Sequence, residues 1–180
     1  MGVNMHTEKT LSSEIIYNGK IFTLEKREIE LQNGQKTVRE IINHYGGVGV
    51  LPILDDGTVI LVKQYRSGAQ DVLLEIPAGK LNQGEDHRAC GIRELEEETG
   101  YTAKDVTYLG YFYPTPAYDS EKTHMYLARG LTPGKAHPDE NEFVETVKMP
   151  FEQLLNMVIN NEIKDAKTIS AVLMADKLLK

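Results

Sequence analysis

The sequence predicts a mixed α/β sandwich preceded by a small β-sheet extension. Three observations carry this. Strand-like runs are flanked by three helical stretches instead of being segregated from them. The turn pairs Asn18-Gly19, Asn33-Gly34 and Asp56-Gly57 cut the first third of the chain into hairpins. One acidic helix ending before Gly100 carries termination signals at both ends.

Residues 1 to about 11 are polar and are expected to be mobile. Strand-like runs follow at 14–17 and 20–31, and the alternation slips between Leu24 and Ile29, which marks an expected bulge. Asn33-Gly34 predicts a hairpin, with 37–44 returning as the partner strand. This 1–45 piece is thin in core-forming residues, so it is expected to form its own sheet and to pack on a second copy of the chain. The runs 48–54 and 58–65, around Asp56-Gly57, read as a second and more buried hairpin. Gly46-Gly47-Val48-Gly49 is not a dinucleotide loop, because it lacks the third glycine and precedes a strand. Further strands are expected at 73–76, 105–113, 122–129 and 143–149, and helices at 151–160 and 167–179. A loop with Pro114, Pro116 and Tyr118 joins two of the strands, and a polar loop spans 133–141. The main domain is therefore placed at 46–180.

The central helix is framed by Asp86 as N-cap and Gly100 as the left-handed residue beyond its end. Ala89, Ile92 and Leu95 form an apolar stripe expected to pack on a sheet. Gly91 costs about 1 kcal/mol relative to Ala at a helix interior, which predicts a close backbone approach there. Glu94, Glu97 and Glu98 stand at i, i+3 and i+4, so three carboxylates share one face. Each like-charge pair costs roughly 0.2–0.5 kcal/mol, and the helix C-terminus is already negative. A hard divalent cation relieves both penalties, since Mg2+ takes one or two carboxylates together with water and a substrate phosphate. Mn2+ suits the same oxygen ligands. A backbone carbonyl in the Ile76-Pro77-Ala78-Gly79-Lys80 turn, such as that of Ala78, is positioned to face the same ion. Arg93, one turn from Glu97, can hold carboxylates by charge-assisted hydrogen bonds. Glu96 lies on another helical face and is expected to be solvated.

Composition narrows the function classes. The 180 residues, 41% of them hydrophobic, suit one domain with a sizeable core. Net charge is −7, which argues against a nucleic-acid backbone as the main partner. The single cysteine, Cys90, excludes an internal disulfide and reads as a packing residue. No secretory signal and no apolar run long enough to span a membrane are evident, so a cytoplasmic location is expected. The five histidines show no metal-ligand spacing, and no Gly-x-Ser-x-Gly elbow is present.

Gly79, five residues, Glu85, seven residues, then Arg93-Glu94-Leu95-Glu96-Glu97-Glu98-Thr99-Gly100-Tyr101 resembles the Nudix box without a departure. The resemblance implies an α/β/α sandwich that hydrolyses a nucleoside diphosphate linked to another group. It implies metal-ligand roles for Glu94, Glu97, Glu98 and the Ala78 carbonyl, and a supporting or weak ligand role for Glu85. Three features are similar to the ADP-ribose pyrophosphatase branch of the family. They are Val62-Lys63-Gln64-Tyr65-Arg66 followed by Glu75-Ile76-Pro77-Ala78-Gly79-Lys80, then Pro116, and the N-terminal extension. That branch implies cleavage of ADP-ribose to AMP and ribose 5-phosphate, and a swapped homodimer whose extension lends residues to the neighbouring site.

In this reading Arg66 contacts the diphosphate, a role suited to a planar guanidinium, and Arg39 is a second candidate. Tyr17 and Phe22 are the aromatic candidates for stacking on adenine. The branch places its general base in a mobile loop, where Glu142, and after it Glu140, offer a carboxylate for the proton of the attacking water. The competing substrates are other nucleoside diphosphate sugars such as GDP-mannose. A sensor that binds ADP-ribose without cleaving it is disfavoured by the complete acid set. Action on RNA 5′ ends is disfavoured by the absence of a basic, aromatic-laced stretch.

Overall fold

The computed structural model describes residues 7–138 and 143–180. It divides into two compact units, one with the residues up to Tyr45 and Tyr113–Glu121, the other with Gly46–Phe112 and Lys122–Lys180.

The first unit is built on strands β1 (Lys9–Asn18), β2 (Thr23–Glu30) and β3 (Lys36–Asn43), in that order and antiparallel. Asn33-Gly34 closes the second hairpin with Gly34 at φ 79°, a left-handed conformation that costs glycine nothing. The β2–β3 register is continuous from Thr23–Asn43 to Glu30–Lys36. The bulges lie instead on β1, between Thr10 and Ser12 and between Ile15 and Tyr17. The slip expected between Leu24 and Ile29 is therefore a correction: β2 is held in register by β3, and β1 absorbs the extra residues. β1 also begins at Lys9, inside the stretch expected to be mobile, because pairing with β2 satisfies its backbone groups. Segment Tyr113–Glu121 adds to the same unit along β3. The Ile42 N–H donates to the Tyr118 carbonyl (2.7 Å), and the Ser120 N–H to that of Ile42 (2.9 Å). Ile29 is buried, while Leu11, Ile15, Ile16 and Tyr17 stand exposed along β1.

The second unit contains β4 (Gly47–Pro52), β5 (Thr58–Arg66), β6 (Asp71–Glu75), β7 (Ala78–Lys80), α1 (His87–Thr99), β8 (Tyr101–Phe112), β9 (Thr123–Pro133), β10 (Glu145–Pro150), α2 (Phe151–Ile159) and α3 (Ala166–Leu179). A mixed sheet runs β7-β4-β9-β8, with β4 parallel to β9 and antiparallel to β7. A second, antiparallel sheet runs β10-β5-β6. The expected hairpin between 48–54 and 58–65 is thus not formed: β4 and β5 belong to different sheets, joined by the lone bridge Ile53–Val59. Every residue of β4 is buried, as suits a central strand covered on both faces. On one face Val48 and Val50 pack with Cys90 and Leu95 of α1. On the other, Leu51 joins Leu61 of β5, Leu154 of α2 and Val172 of α3. The α/β sandwich with a mixed sheet and three helices is the predicted class.

α1 begins at Asp86, whose carboxylate accepts from the Ala89 N–H (2.9 Å). It ends at Gly100 (φ 76°), whose N–H donates to the Glu96 carbonyl. Its inward face differs from the expected stripe. Cys90, Gly91, Leu95 and Thr99 are buried, with Glu94 and Glu98 among them, whereas Ala89 is exposed and Ile92 half-buried. Gly91 lies against β4, where a Cβ would stand 3.0 Å from Val48 Cγ2 and 3.1 Å from Val50 Cγ2. The missing side chain lets the helix backbone close on the sheet, bringing its acidic residues to the sheet's β7 edge. Burial pushes the Cys90 thiol up to about 12, consistent with a packing residue.

Candidate active site

The acidic turn of α1 faces the β6–β7 connection. Glu98 is 3% exposed and Glu94 9%. The Ala78 N–H donates to Glu98 Oε2 at 2.9 Å, and the Gln64 amide lies 3.5 Å from Glu98 Oε1. Gly79 leaves the space that the Glu94 carboxylate occupies, since a Cβ there would overlap that side chain. Glu94 and Glu98 are thus held indoors by a turn without bulk and by a backbone donor.

Arg93 is the hub for Glu85, Glu94 and Glu97. Its Nη1 meets Glu97 Oε2 and Glu94 Oε1, each at 2.7 Å, and its Nη2 reaches Glu85 Oε1 at 3.3 Å. Burial disfavours the guanidinium charge, but the Glu94 charge and the Glu97 hydrogen bond outweigh it, so Arg93 is raised above its ordinary value. Glu85 is lowered, chiefly by the Asn82 N–H it accepts (2.8 Å) and further by Arg93. One cation therefore gathers three of the four acids, and Glu98 is held separately by Ala78. Among the described residues, no three His, Cys, Asp or Glu side chains converge closely enough to enclose an ion as they stand. Glu96 is half-buried beside a cavity of about 510 Å³ on the outer side of α1, which Arg93, Glu97 and His137 also line.

Arg66, at the end of β5, makes a bidentate pair with Glu75, Nε to Oε1 at 2.8 Å and Nη2 to Oε2 at 2.7 Å. Glu75 is fully buried and also meets Lys167 Nζ. Burial favours the neutral Glu75 acid, yet the Arg66 hydrogen bond and the Lys167 charge hold its carboxyl below the usual range. Neither Glu75 nor Lys167 was assigned a role from sequence. A weak signal existed in an acid closing the otherwise apolar end of β6. Lys167 lies 92 residues away and has no local pattern to mark it.

The remaining candidates fall in the first unit. Arg39 Nη2 pairs with Glu8 Oε1 at 2.6 Å. Tyr17 and Phe22 face each other across the β1–β2 turn, ring centroids 5.7 Å apart. Pro116 lies in the segment that runs along β3. Glu140 and Glu142 lie outside the described residues.

A short acidic helix is docked through a glycine onto a mixed α/β sandwich, and residues 44–172 match the NUDIX domain model. The chain belongs to that family and is a Nudix hydrolase. It is 44% identical over 167 residues to the ADP-ribose pyrophosphatase of Bacillus subtilis (strain 168), covering 92% of this chain and 90% of that one. It is 40% identical to the methanol dehydrogenase activator of Bacillus methanolicus, with the same coverage. A crystal structure of an ADP compounds hydrolase superposes with a TM-score of 0.86 at 26% identity, over 99% of this chain and 97% of the other. No helix among the described residues is long and apolar enough to cross a membrane.

Proposed function

We propose that the protein hydrolyses the diphosphate bond of ADP-ribose, releasing AMP and ribose 5-phosphate, with Mg2+ or Mn2+ as cofactor. The substrate rests on one observation, the 44% identity to an ADP-ribose pyrophosphatase over nine-tenths of the chain. The cofactor rests on the donor set. Hard carboxylate oxygens fit these cations, and the cradle opposite Gly79 leaves Glu94 the room a Cβ would take. Glu94, Glu97 and Glu98 would hold the ion, with the Ala78 carbonyl and Glu85 in support. When bound, such an ion polarises phosphoryl oxygens and offsets the charge of the diphosphate. Arg93 orients the Glu85, Glu94 and Glu97 carboxylates, and Arg66 binds the diphosphate. Arg39, Tyr17, Phe22 and Pro116 are the substrate contacts proposed from the first unit. The apolar residues exposed along β1 support a homodimer in which a second copy covers them.

The test is a panel of ADP-ribose, GDP-mannose, ADP-glucose, NADH, diadenosine polyphosphates and 5′-triphosphate RNA, with Mg2+ and with chelator, products resolved by chromatography. Metal-dependent release of AMP from ADP-ribose, well ahead of the others, is expected. Faster turnover of another nucleotide sugar would replace the substrate, and tight binding without turnover would make the protein a sensor.

Gly79→Ala tests the cradle. The added methyl has no conformational barrier to overcome, because Gly79 is not among the glycines at positive φ. It would overlap Glu94 Oε1, Cδ and Cγ, so the Glu94 side chain is displaced from the cradle. An error of about 1 Å in a catalytic group costs on the order of 10²-fold. A loss of that size in kcat, with little change in Tm, is expected from steady-state kinetics and thermal melting. Full activity would mean that Glu94 need not be where the cradle holds it.

A further inference from the structure

We propose that Lys167 and Glu75 are positioning residues, which together aim the Arg66 guanidinium and fix the charge it presents to the substrate diphosphate. This rests on the reading above that Arg66 contacts the diphosphate.

The geometry begins on β5, where Val62, Gln64 and Arg66 share one strand face. Val62 is buried and Gln64 and Arg66 half-buried, and Gln64 leans toward Glu98, so this face looks toward the acidic helix. Glu75 pairs across the sheet with Val62, and the long Arg66 side chain returns along the strand to reach it. A guanidinium carries five N–H donors. Glu75 takes the Nε donor and one on Nη2, which leaves both Nη1 donors and the second on Nη2 along the opposite edge. That side chain keeps 40% of its surface exposed, and the opposite edge is the one this proposal gives to the ligand. A carboxylate held this way fixes the plane of the guanidinium, which a lone arginine on a strand end would not have.

A fully buried carboxylate needs more than one partner, and α3 supplies the second. Lys167 Nζ meets Glu75 Oε2 and, at 2.9 Å, Asp165 Oδ1. Asp165 caps α3 through the Thr168 N–H (2.9 Å), and Thr168 Oγ1 accepts from the Ile76 N–H (2.8 Å). The first turn of α3 is thereby fastened to the end of β6, immediately before the turn that carries Ala78 and Gly79. The four charges of Arg66, Lys167, Glu75 and Asp165 balance. Removing the lysine leaves Glu75 and Asp165 with Arg66 as their one cationic partner, which draws the guanidinium inward and away from the diphosphate. α3 thus contributes to substrate affinity without a side chain of its own on the substrate.

The test is a double-mutant cycle with Lys167→Met and Arg66→Ala, with Lys167→Arg as the conservative variant. ADP-ribose binding is read by calorimetry in EDTA, where no turnover occurs, alongside kcat, KM and Tm. Lys167→Met is expected to raise Kd and KM about tenfold, with kcat within about twofold, as for a contact that acts on binding alone. Lys167→Arg should restore wild-type Kd to within about threefold, since the charge is kept. In the Arg66→Ala background, Lys167→Met should have no further effect on Kd. Additive losses, or a lower Tm with unchanged Kd, would overturn the positioning role and leave Arg66 as the diphosphate contact. An Arg66→Ala variant that binds as well as wild type would overturn both. If the substrate panel selects another nucleotide sugar, the same cycle is read on that compound, because the premise is the diphosphate and not the base.

Discussion

Glu98→Gln is expected to lower kcat about a thousandfold at saturating Mg2+, equivalent to roughly 4 kcal/mol of barrier. The substitution is nearly isosteric, and the amide oxygen can still accept from the Ala78 N–H that Glu98 binds at 2.9 Å. What disappears is the charge of a side chain that is 3% exposed and unable to recruit bulk water as a substitute. In the absence of metal, the lost like-charge interaction with Glu94, one turn away, removes a small unfavourable term. Tm without Mg2+ should therefore be unchanged or slightly raised, while metal affinity, read by calorimetry, falls. That combination separates loss of a ligand from loss of fold. Glu96→Gln, on the outer side of the same helix, should stay within about twofold of wild type, because surface charges away from a site contribute little. A Glu98→Gln enzyme retaining more than about a tenth of its kcat would remove Glu98 from the proposed ligand set.

What was legible in the sequence was local. Asp86 and Gly100 mark the ends of α1 because capping depends on a side chain three residues from its partner and on one left-handed residue. Gly91 was readable for a similar reason, as a helical glycine costs enough to require a neighbour. The apolar stripe was misplaced because periodicity assumes that the buried face is apolar. Here Glu94 and Glu98 lie on the buried side with Leu95, and Ala89 is turned outward. The missed features are pairings between distant segments. Asp56-Gly57 does form a turn, but β4 before it pairs with β9, more than seventy residues on, and not with β5. β7 is three residues of a glycine turn that become a strand through pairing with Gly47, Val48 and Gly49. Glu75 and Lys167 meet only once the second sheet and α3 are assembled.

Glu142→Gln is expected to reduce turnover by about two to four powers of ten, the range for removing a positioned general base. The water that attacks phosphorus must lose a proton, and an amide cannot take it. The resemblance to the ADP-ribose pyrophosphatase branch, which places its base in this loop, is what motivates the assignment. The acidic limb of the kcat/KM profile provides the discriminating measurement. If Glu142 is the base, that limb should disappear in Glu142→Gln while Mg2+ affinity, read by calorimetry, stays at its wild-type value. Glu140→Gln should then cost less than tenfold and keep the limb. The reverse outcome, with Glu142→Gln losing under about tenfold and Glu140→Gln losing the limb, would transfer the role to Glu140.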